Sequence, residues 1–403
     1  MDLKSGYPFW AIKNGLMCVF PQLKANIRCD VVVVGGGITG ALIADELGTH
    51  GFDVVVVEQR DIGWGSSAAS TALLQYEIDT HLVDLAKIYG ESQAVIAYRA
   101  CAEAIKDLSD LAKELGDVDF SMQESLYYAS KRAHKTAMRE EYEMRIKHGF
   151  DAHWLDSASL KQHFGIKAPS AILTKLAARV DPYSMASKLL LRLAERGGRV
   201  FDRTVIDAIE PSAEGVTLRT PEGLLIEAKY VVMAAGFASQ TWLKQTVANN
   251  RSSYAFITDP IDKADLGVLA STMIWESARP YLYMRTTGDG RLLVGGDDDD
   301  IDIPSRRDKR VESKAKGLCK KVKKLFPGLS IPPAFSWGGT FAETVDGLPF
   351  FGEHGQYGPR VQFAMAYGGN GITYSMIGAG LLRANIEGRQ HPLSKLFGFT
   401  RIA

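Results

Sequence analysis

The chain alternates between short β-branched runs and longer stretches with helical spacing. Val31-Val32-Val33-Val34 is a continuous apolar run, the pattern of a strand buried on both faces. Gly35-Gly36-Gly37-Ile38-Thr39-Gly40 follows directly. Ala41, Ala44 and Leu47 then recur at helical spacing as far as Gly51, which supplies a stop. Phe52 to Val57 repeats the buried-strand pattern and ends in Glu58. The pattern predicts one right-handed βαβ unit.

Further along, Val95, Tyr98, Ala102, Ile105, Leu108, Ala112 and Leu115 form one apolar stripe, predicting helix within 80–115. Lys131 to His148 reads as a more charged, more exposed helix, and Asp181-Pro182 opens another from Tyr183 to Arg196. Val200 to Ile209 and Leu224 to Met233 read as strands, the second ending in Ala234-Ala235-Gly236. Tyr281 to Arg285 and Arg291 to Gly295 alternate with period two around Thr287-Gly288-Asp289-Gly290, a hairpin signal. The acidic run Asp297 to Asp300 reads as a solvated loop and the basic segment Lys314 to Lys324 as a surface helix face. Phe363 to Tyr367 reads as a strand, Gly368 to Gly371 as a tight loop and Ile372 to Glu387 as a helix.

Composition narrows the class. The 403 residues are 46% hydrophobic and 23% charged, with 47 basic and 47 acidic side chains, so the formal net charge is zero. That balance argues against a generic electrostatic nucleic-acid binder. Cys18, Cys29, Cys101 and Cys319 are scattered, without zinc-like spacing or the density of a disulfide framework. No apolar run reaches the about 18–20 residues of a membrane span, and the first 21 residues lack a convincing secretory core, so cytoplasmic residence is the default.

Gly35, Gly37 and Gly40 have the GxGxxG spacing between a buried strand and a helix, with Glu58 at the end of the next strand. Here Gly35 permits the tight turn, Gly37 lets a pyrophosphate approach the backbone, and Gly40 allows close helix–strand packing. N–H groups at the helix start favour phosphate, and Glu58 accepts ribose hydroxyls. The motif alone admits NAD or FAD. The small polar segment Gly65 to Thr71 and the bare N–H groups at Gly369-Asn370-Gly371, which begin another helix, favour a long cofactor whose reduced ring carries negative charge, hence FAD.

CDVVVVGGGITG with Glu58, GWGSSAAST, ARVDPYSMASKLL, DRTVIDAI, VVMAAG, RLLVGG, TVDGLPFFG and AYGGNGITYSMIGAGLLRANI together resemble the D-amino-acid-oxidase-like (DAO) family of FAD-dependent oxidoreductases. The resemblance implies an α/β chain (α+β overall). A Rossmann-like FAD-binding domain over 28–80, 175–240 and 338–403 would interleave with a mostly antiparallel-sheet substrate domain over 81–174 and 241–337, after an N-terminal extension over 1–27. It implies non-covalent FAD. Beside Gly35, Gly37, Gly40 and Glu58, Ile38, Thr39 and Gln59 belong to the cofactor turn. Ser66, Ser67, Thr71 and Ala72 lie near the pyrophosphate or flavin. The Val205 backbone meets adenine, Ala235 and Gly236 pass the adenosine, and Gly369, Asn370, Gly371, Ile372 and Thr373 meet the flavin's pyrimidine edge.

Two departures matter. Phe341 stands where glycine-oxidase-like members carry a carboxylate-clamping Arg, and Leu293 where the sarcosine-oxidase branch has an oxygen-activating Lys. The electron acceptor is therefore open between oxygen and another molecule. Arg285 and Tyr283 share a strand face and are the candidate substrate contacts, with a structural ion pair as the other reading of Arg285. Tyr76, Tyr254, Tyr367 and Tyr374 are candidates for the pocket wall or the core. The expected reaction takes a hydride from an amine or amino-acid C–H to flavin N5 and gives an imine that water hydrolyses. Oxidation of a 2-hydroxy acid or polyol phosphate, and a structural FAD without catalysis, are the alternatives.

Overall fold

The computed structural model describes residues 2–300 and 302–402. Among these, two sheets organise the chain. The first runs in the order Phe350–His354, Gly358–Met365, Leu225–Met233, Ile27–Val34, Val54–Val57, Arg199–Phe201, with Ala208–Pro211 and Val216–Arg219 added beside Leu225–Met233. Its five central strands are parallel. Period-two alternation sends the valines both ways. Val31, Val33, Val54 and Val56 pack with Ala41, Ala44 and Leu47 of helix Ile38–Thr49 and with helix Pro182–Glu195. Val32, Val55 and Val57 pack with Val216, Leu218 and Phe363 on the other face.

The register decides where the site lies. Phe201, Val57, Val34, Met233 and Phe363 stand side by side across the five parallel strands. The residues that follow them therefore leave the sheet along one edge: Gly35, Glu58, Ala234 to Gly236 and Thr204-Val205. In an open parallel sheet the crevice beyond the carboxyl ends is the natural ligand site.

The second sheet runs Lys4–Gly6, Pro333–Glu343, Asn249–Pro260, Arg291–Asp299, Leu282–Thr286, Thr272–Glu276, Ser121–Tyr128, Ser170–Arg179, Leu73–Gln75, with Ala152–Asp156 paired to Ser170–Arg179. It is antiparallel apart from the pair Thr272–Glu276 and Ser121–Tyr128. The hairpin around Thr287 to Gly290 is present. The expected boundaries shift here. Leu73–Gln75, residues 175–179 and residues 338–343 pair within this second sheet, not with the nucleotide half, and the N-terminal extension contributes its edge strand at Lys4–Gly6.

Three local expectations are corrected. The stretch Val200 to Ile209 is two strands, Arg199–Phe201 and Ala208–Pro211. The buried Asp202 accepts the Phe20 N–H (2.9 Å), and Arg203 turns the chain with φ 48°. The acidic run is not a solvated loop, because strand Arg291–Asp299 continues through it. Asp299 is buried against the Tyr254 hydroxyl (2.8 Å), Arg310 (2.6 Å) and Lys314 (3.1 Å).

The charged helix Lys135–Lys147 is not simply exposed either. Its Glu141 and Arg145 are fully buried. Arg145 donates to Glu141 (2.8 Å) and Glu77 (3.4 Å), and its guanidinium lies 5.7 Å from the Tyr76 ring. Burial raises the Glu77 pKa. For Glu141 burial also pushes upward, but Arg145 and His81 outweigh it and the pKa is lowered. Arg145→Met would leave two buried carboxylates facing each other. We expect a loss of about 3–5 kcal/mol in denaturant unfolding, largely recovered when Glu77→Gln and Glu141→Gln are added.

Candidate active site

A single cavity of about 1180 Å³ opens along the carboxyl edge of the parallel sheet and continues under the second sheet. It exceeds the roughly 300–1,000 Å³ of an ordinary small-molecule pocket. All the expected cofactor residues line it except Gly40 and Thr373. Gly40 works from behind: a Cβ there would overlap the Gly35 carbonyl, so glycine lets helix Ile38–Thr49 close on the turn. Gly35 has φ 120°, and a Cβ would run into the Ala234 carbonyl. Thr373 is buried in the first turn of helix Gly371–Ile386.

The turn is held by side chains reaching from the next segments. Ser67 Oγ accepts the Ile38 N–H (2.9 Å). Glu58 Oε2 accepts the Gly36 N–H (2.8 Å) and Oε1 the Arg60 N–H (2.9 Å), and burial raises the carboxyl's pKa. At the far helix start, Asn370 Nδ2 donates to the Gln75 and Glu77 carbonyls (2.9 and 3.0 Å), while the Gly369 N–H donates to Asp79 Oδ2 (2.8 Å). These contacts tie the loop 368–371 to the strap that leaves Leu73–Gln75. Two helix N-termini thus face one elongated cavity, as a cofactor with a pyrophosphate at one end and a polar ring at the other requires.

The second sheet supplies the other end. Trp275, Arg279, Tyr281, Tyr283, Arg251, Ser253, Asp298, Phe341 and Glu343 line it. Tyr283 is where its sequence position suggested, and burial pushes its hydroxyl up to about 12, so it stays protonated. Arg285 is not. Its side chain is fully buried outside the cavity and donates to the carbonyls of Thr71 (2.7 Å), Val180 (2.9 Å) and Thr286 (3.2 Å), with Trp10 5.2 Å away. The strand face shared with Tyr283 is covered there by Thr71, Val180 and the N-terminal helix Phe9–Asn14. Arg285 is therefore neither a substrate clamp nor one half of an ion pair; it holds the Thr71-Ala72 segment, where Ala72 has φ 49°, as part of the cavity wall.

Of the four tyrosine candidates, Tyr254 and Tyr367 line the cavity. Tyr76 stacks on Phe150 in the core, and the Tyr374 hydroxyl donates to the Gly347 carbonyl (2.8 Å). Phe341 does line the cavity, whereas Leu293 is core. Sequence reasoning missed Asp79, Arg251, Trp275, Arg279, Tyr281, Asp298 and Glu343. A usable signal existed for Asp298. Gly295-Gly296 is a strand segment where any Cβ would overlap the Tyr283 ring or the Tyr281 carbonyl, so the acidic residues beyond it continue a crowded strand.

Residues 30–384 match the DAO family, described as FAD dependent oxidoreductase. The chain belongs to this family. FAD is accordingly its cofactor, and the cavity just described fits it. Among curated relatives, γ-glutamylputrescine oxidoreductase of Escherichia coli (strain K12) is 24% identical over 397 residues, covering 94% of this chain and 88% of the relative. The solved glycine oxidase of Geobacillus kaustophilus superposes with a TM-score of 0.78 at 21% identity, over 93% of this chain and 99% of that one. L-α-glycerophosphate oxidase from Mycoplasma pneumoniae, solved with FAD bound, shares the fold with a TM-score of 0.73 at 15% identity, over 91% of this chain and 97% of that one. In this DAO-family chain Phe341 lines the second-sheet end of the cavity.

Two outcomes follow from the geometry. Arg285→Met leaves three buried carbonyls without their donor. It should cost about 3 kcal/mol in urea unfolding and weaken FAD retention, and an unchanged unfolding midpoint would contradict its structural role. Asp298, whose folded-state pKa lies at about 6, destabilises the fold when it ionises. Its contribution is therefore lost as pH rises through about 6. Asp298→Asn should raise the thermal midpoint at pH 8 and leave it close to the parent's at pH 4.

Proposed function

We propose that the protein oxidises an amine, taking a hydride from a C–H bond beside nitrogen and releasing an imine that water hydrolyses. The observation that carries this reading is the charge at the substrate end of the cavity. Asp79, Asp298 and Glu343 line it, Arg251 and Arg279 at this end are engaged by Glu343, and Arg285 is walled off. A 2-hydroxy acid would enter as an anion and meet repulsion; a protonated amine enters as a cation. The similarity to γ-glutamylputrescine oxidoreductase and glycine oxidase supports an amine or amino acid.

FAD, when bound, supplies the acceptor for the hydride. The chain's residues do the rest. Gly35, Gly37 and the first turn of Ile38–Thr49 hold the pyrophosphate, with Ser66, Ser67 and Thr71 along the far side. Glu58 and Gln59 hold the ribose, and the Val205 backbone with Ala235 and Gly236 flanks the adenosine. Gly369 to Thr373 present the positive end of helix Gly371–Ile386 to the pyrimidine edge, which stabilises negative charge there. Tyr283, Tyr281, Trp275 and Phe341, which line the second-sheet end of the cavity, would exclude water and orient the reacting carbon. Electrons leave to oxygen or to another acceptor.

The purified protein should be yellow. Acid precipitation should release its FAD into the supernatant, since no covalent link is expected. Anaerobic mixing with a panel of amines should bleach the flavin, while hydroxy acids leave it oxidised; the reverse pattern would sink this reading.

A further inference from the structure

Among the described carboxylates that line the cavity, Asp298 has no ion-pair partner and one oxygen without a hydrogen bond. Asp298 lies on strand Arg291–Asp299, is half-buried, and lines the cavity; its Oδ1 is shut off from solvent and accepts no hydrogen bond. Its neighbours in the run are spoken for. Asp297 meets Lys314 and Lys321, Asp299 meets Arg310 and Lys314, and Asp300 meets Arg251. A part-exposed carboxylate on the cavity wall, with no ion-pair partner and one oxygen unsatisfied, is the place for a cationic donor that arrives with the substrate.

Resting on the amine reading above, we propose that Asp298 receives the ammonium group of the substrate and takes its proton, so that the enzyme selects cationic amines without a carboxylate on the reacting carbon. The surroundings argue the same way. Burial, with Asp79 and Glu343 nearby, holds the Asp298 carboxyl up at about 6, against the opposing pull of the Ser253 hydroxyl and Lys314. Such a group is ionised at neutral pH yet basic enough to accept a proton. Ser253 stands 3.4 Å from the Tyr283 hydroxyl, so a polar ledge leads from Asp298 to the aromatic wall.

The arginines are not free to hold a substrate carboxylate. Arg251 is 2.6 Å from both Asp300 and Glu343, and Arg279 lies over the Tyr281 ring at 3.7 Å and 3.8 Å from Glu343. The step balances as follows. An ammonium N–H bond breaks and an O–H bond forms on Asp298, leaving the neutral amine. The neighbouring C–H bond breaks with both electrons moving as hydride to FAD, and the nitrogen lone pair forms the C=N bond. Water then adds to the iminium and releases the nitrogen fragment and a carbonyl product.

The test uses FAD-loaded protein and a panel of primary, N-methyl and diamines beside the corresponding α-amino acids. Flavin reduction is followed anaerobically from pH 5 to 9. Amines should outrun their amino-acid counterparts, with the rate rising through about pH 6 in the parent. Asp298→Asn should lose about 100-fold and this pH limb, whereas Asp298→Glu keeps the limb. A quaternary ammonium ion, which has no lone pair and is not oxidised, should perturb the flavin absorbance of the parent less at pH 5 than at pH 8, a readout independent of turnover and of any variant. Parent flavin that no amine reduces overturns the amine reading itself. Reduction with the same rate and pH profile in Asp298→Asn, or quaternary-ion binding insensitive to pH, overturns the role of Asp298 alone. Amino acids reacting faster than their amines overturn the stated selectivity.

Discussion

Five parallel strands held in register, four of them ending on one line and the fifth two residues beyond it, are the constraint from which the rest follows. Because Phe201, Val57, Val34, Met233 and Phe363 are in register, each following turn leaves the sheet on the same edge. Unpaired N–H groups at helix starts then gather on one side of the molecule, and an anionic cofactor is the ligand that satisfies them. Gly35 and Gly40 serve this arrangement by letting two backbones and a helix approach more closely than any side chain allows.

The second sheet roofs that edge, and buried polar contacts hold the roof in place. Arg285 reaches the Thr71 carbonyl, Asp79 takes the Gly369 N–H, and Asn370 donates to Gln75 and Glu77. Each contact joins a loop at the sheet edge to the second sheet or to the strap that leaves Leu73–Gln75. Charges buried this way cost free energy, and they persist where every polar atom but a few is matched. Asp298 is one exception: one of its oxygens is buried without a partner, and the residue lines the cavity.

Some side-chain environments could not be read from local pattern. Glu141 and Arg145 look like one more exposed ion pair in a charged helix, yet both are fully buried, because Glu77 arrives from 64 positions earlier in the chain to share the arginine. Arg285 alternates with Tyr283 as a substrate contact should, but the N-terminal helix and Thr71 cover its end of the strand. The acidic run has the composition of a loop and the conformation of a strand, since pairing with Asn249–Pro260 outweighs its low β propensity.

The sequence by itself determined the βαβ unit, the glycine turn with Glu58, the hairpin near Thr287, the cofactor class and many of the residues that line the cavity at the edge of the parallel sheet. These depend on local chemistry: backbone conformations only glycine tolerates, and apolar periods of two and of three to four. Only the tertiary structure decided which side chains line the second-sheet end of the cavity. Tyr283, Trp275, Asp79 and Asp298 come from separate strands and a strap, and their meeting depends on how two sheets stack, which no short window of residues encodes.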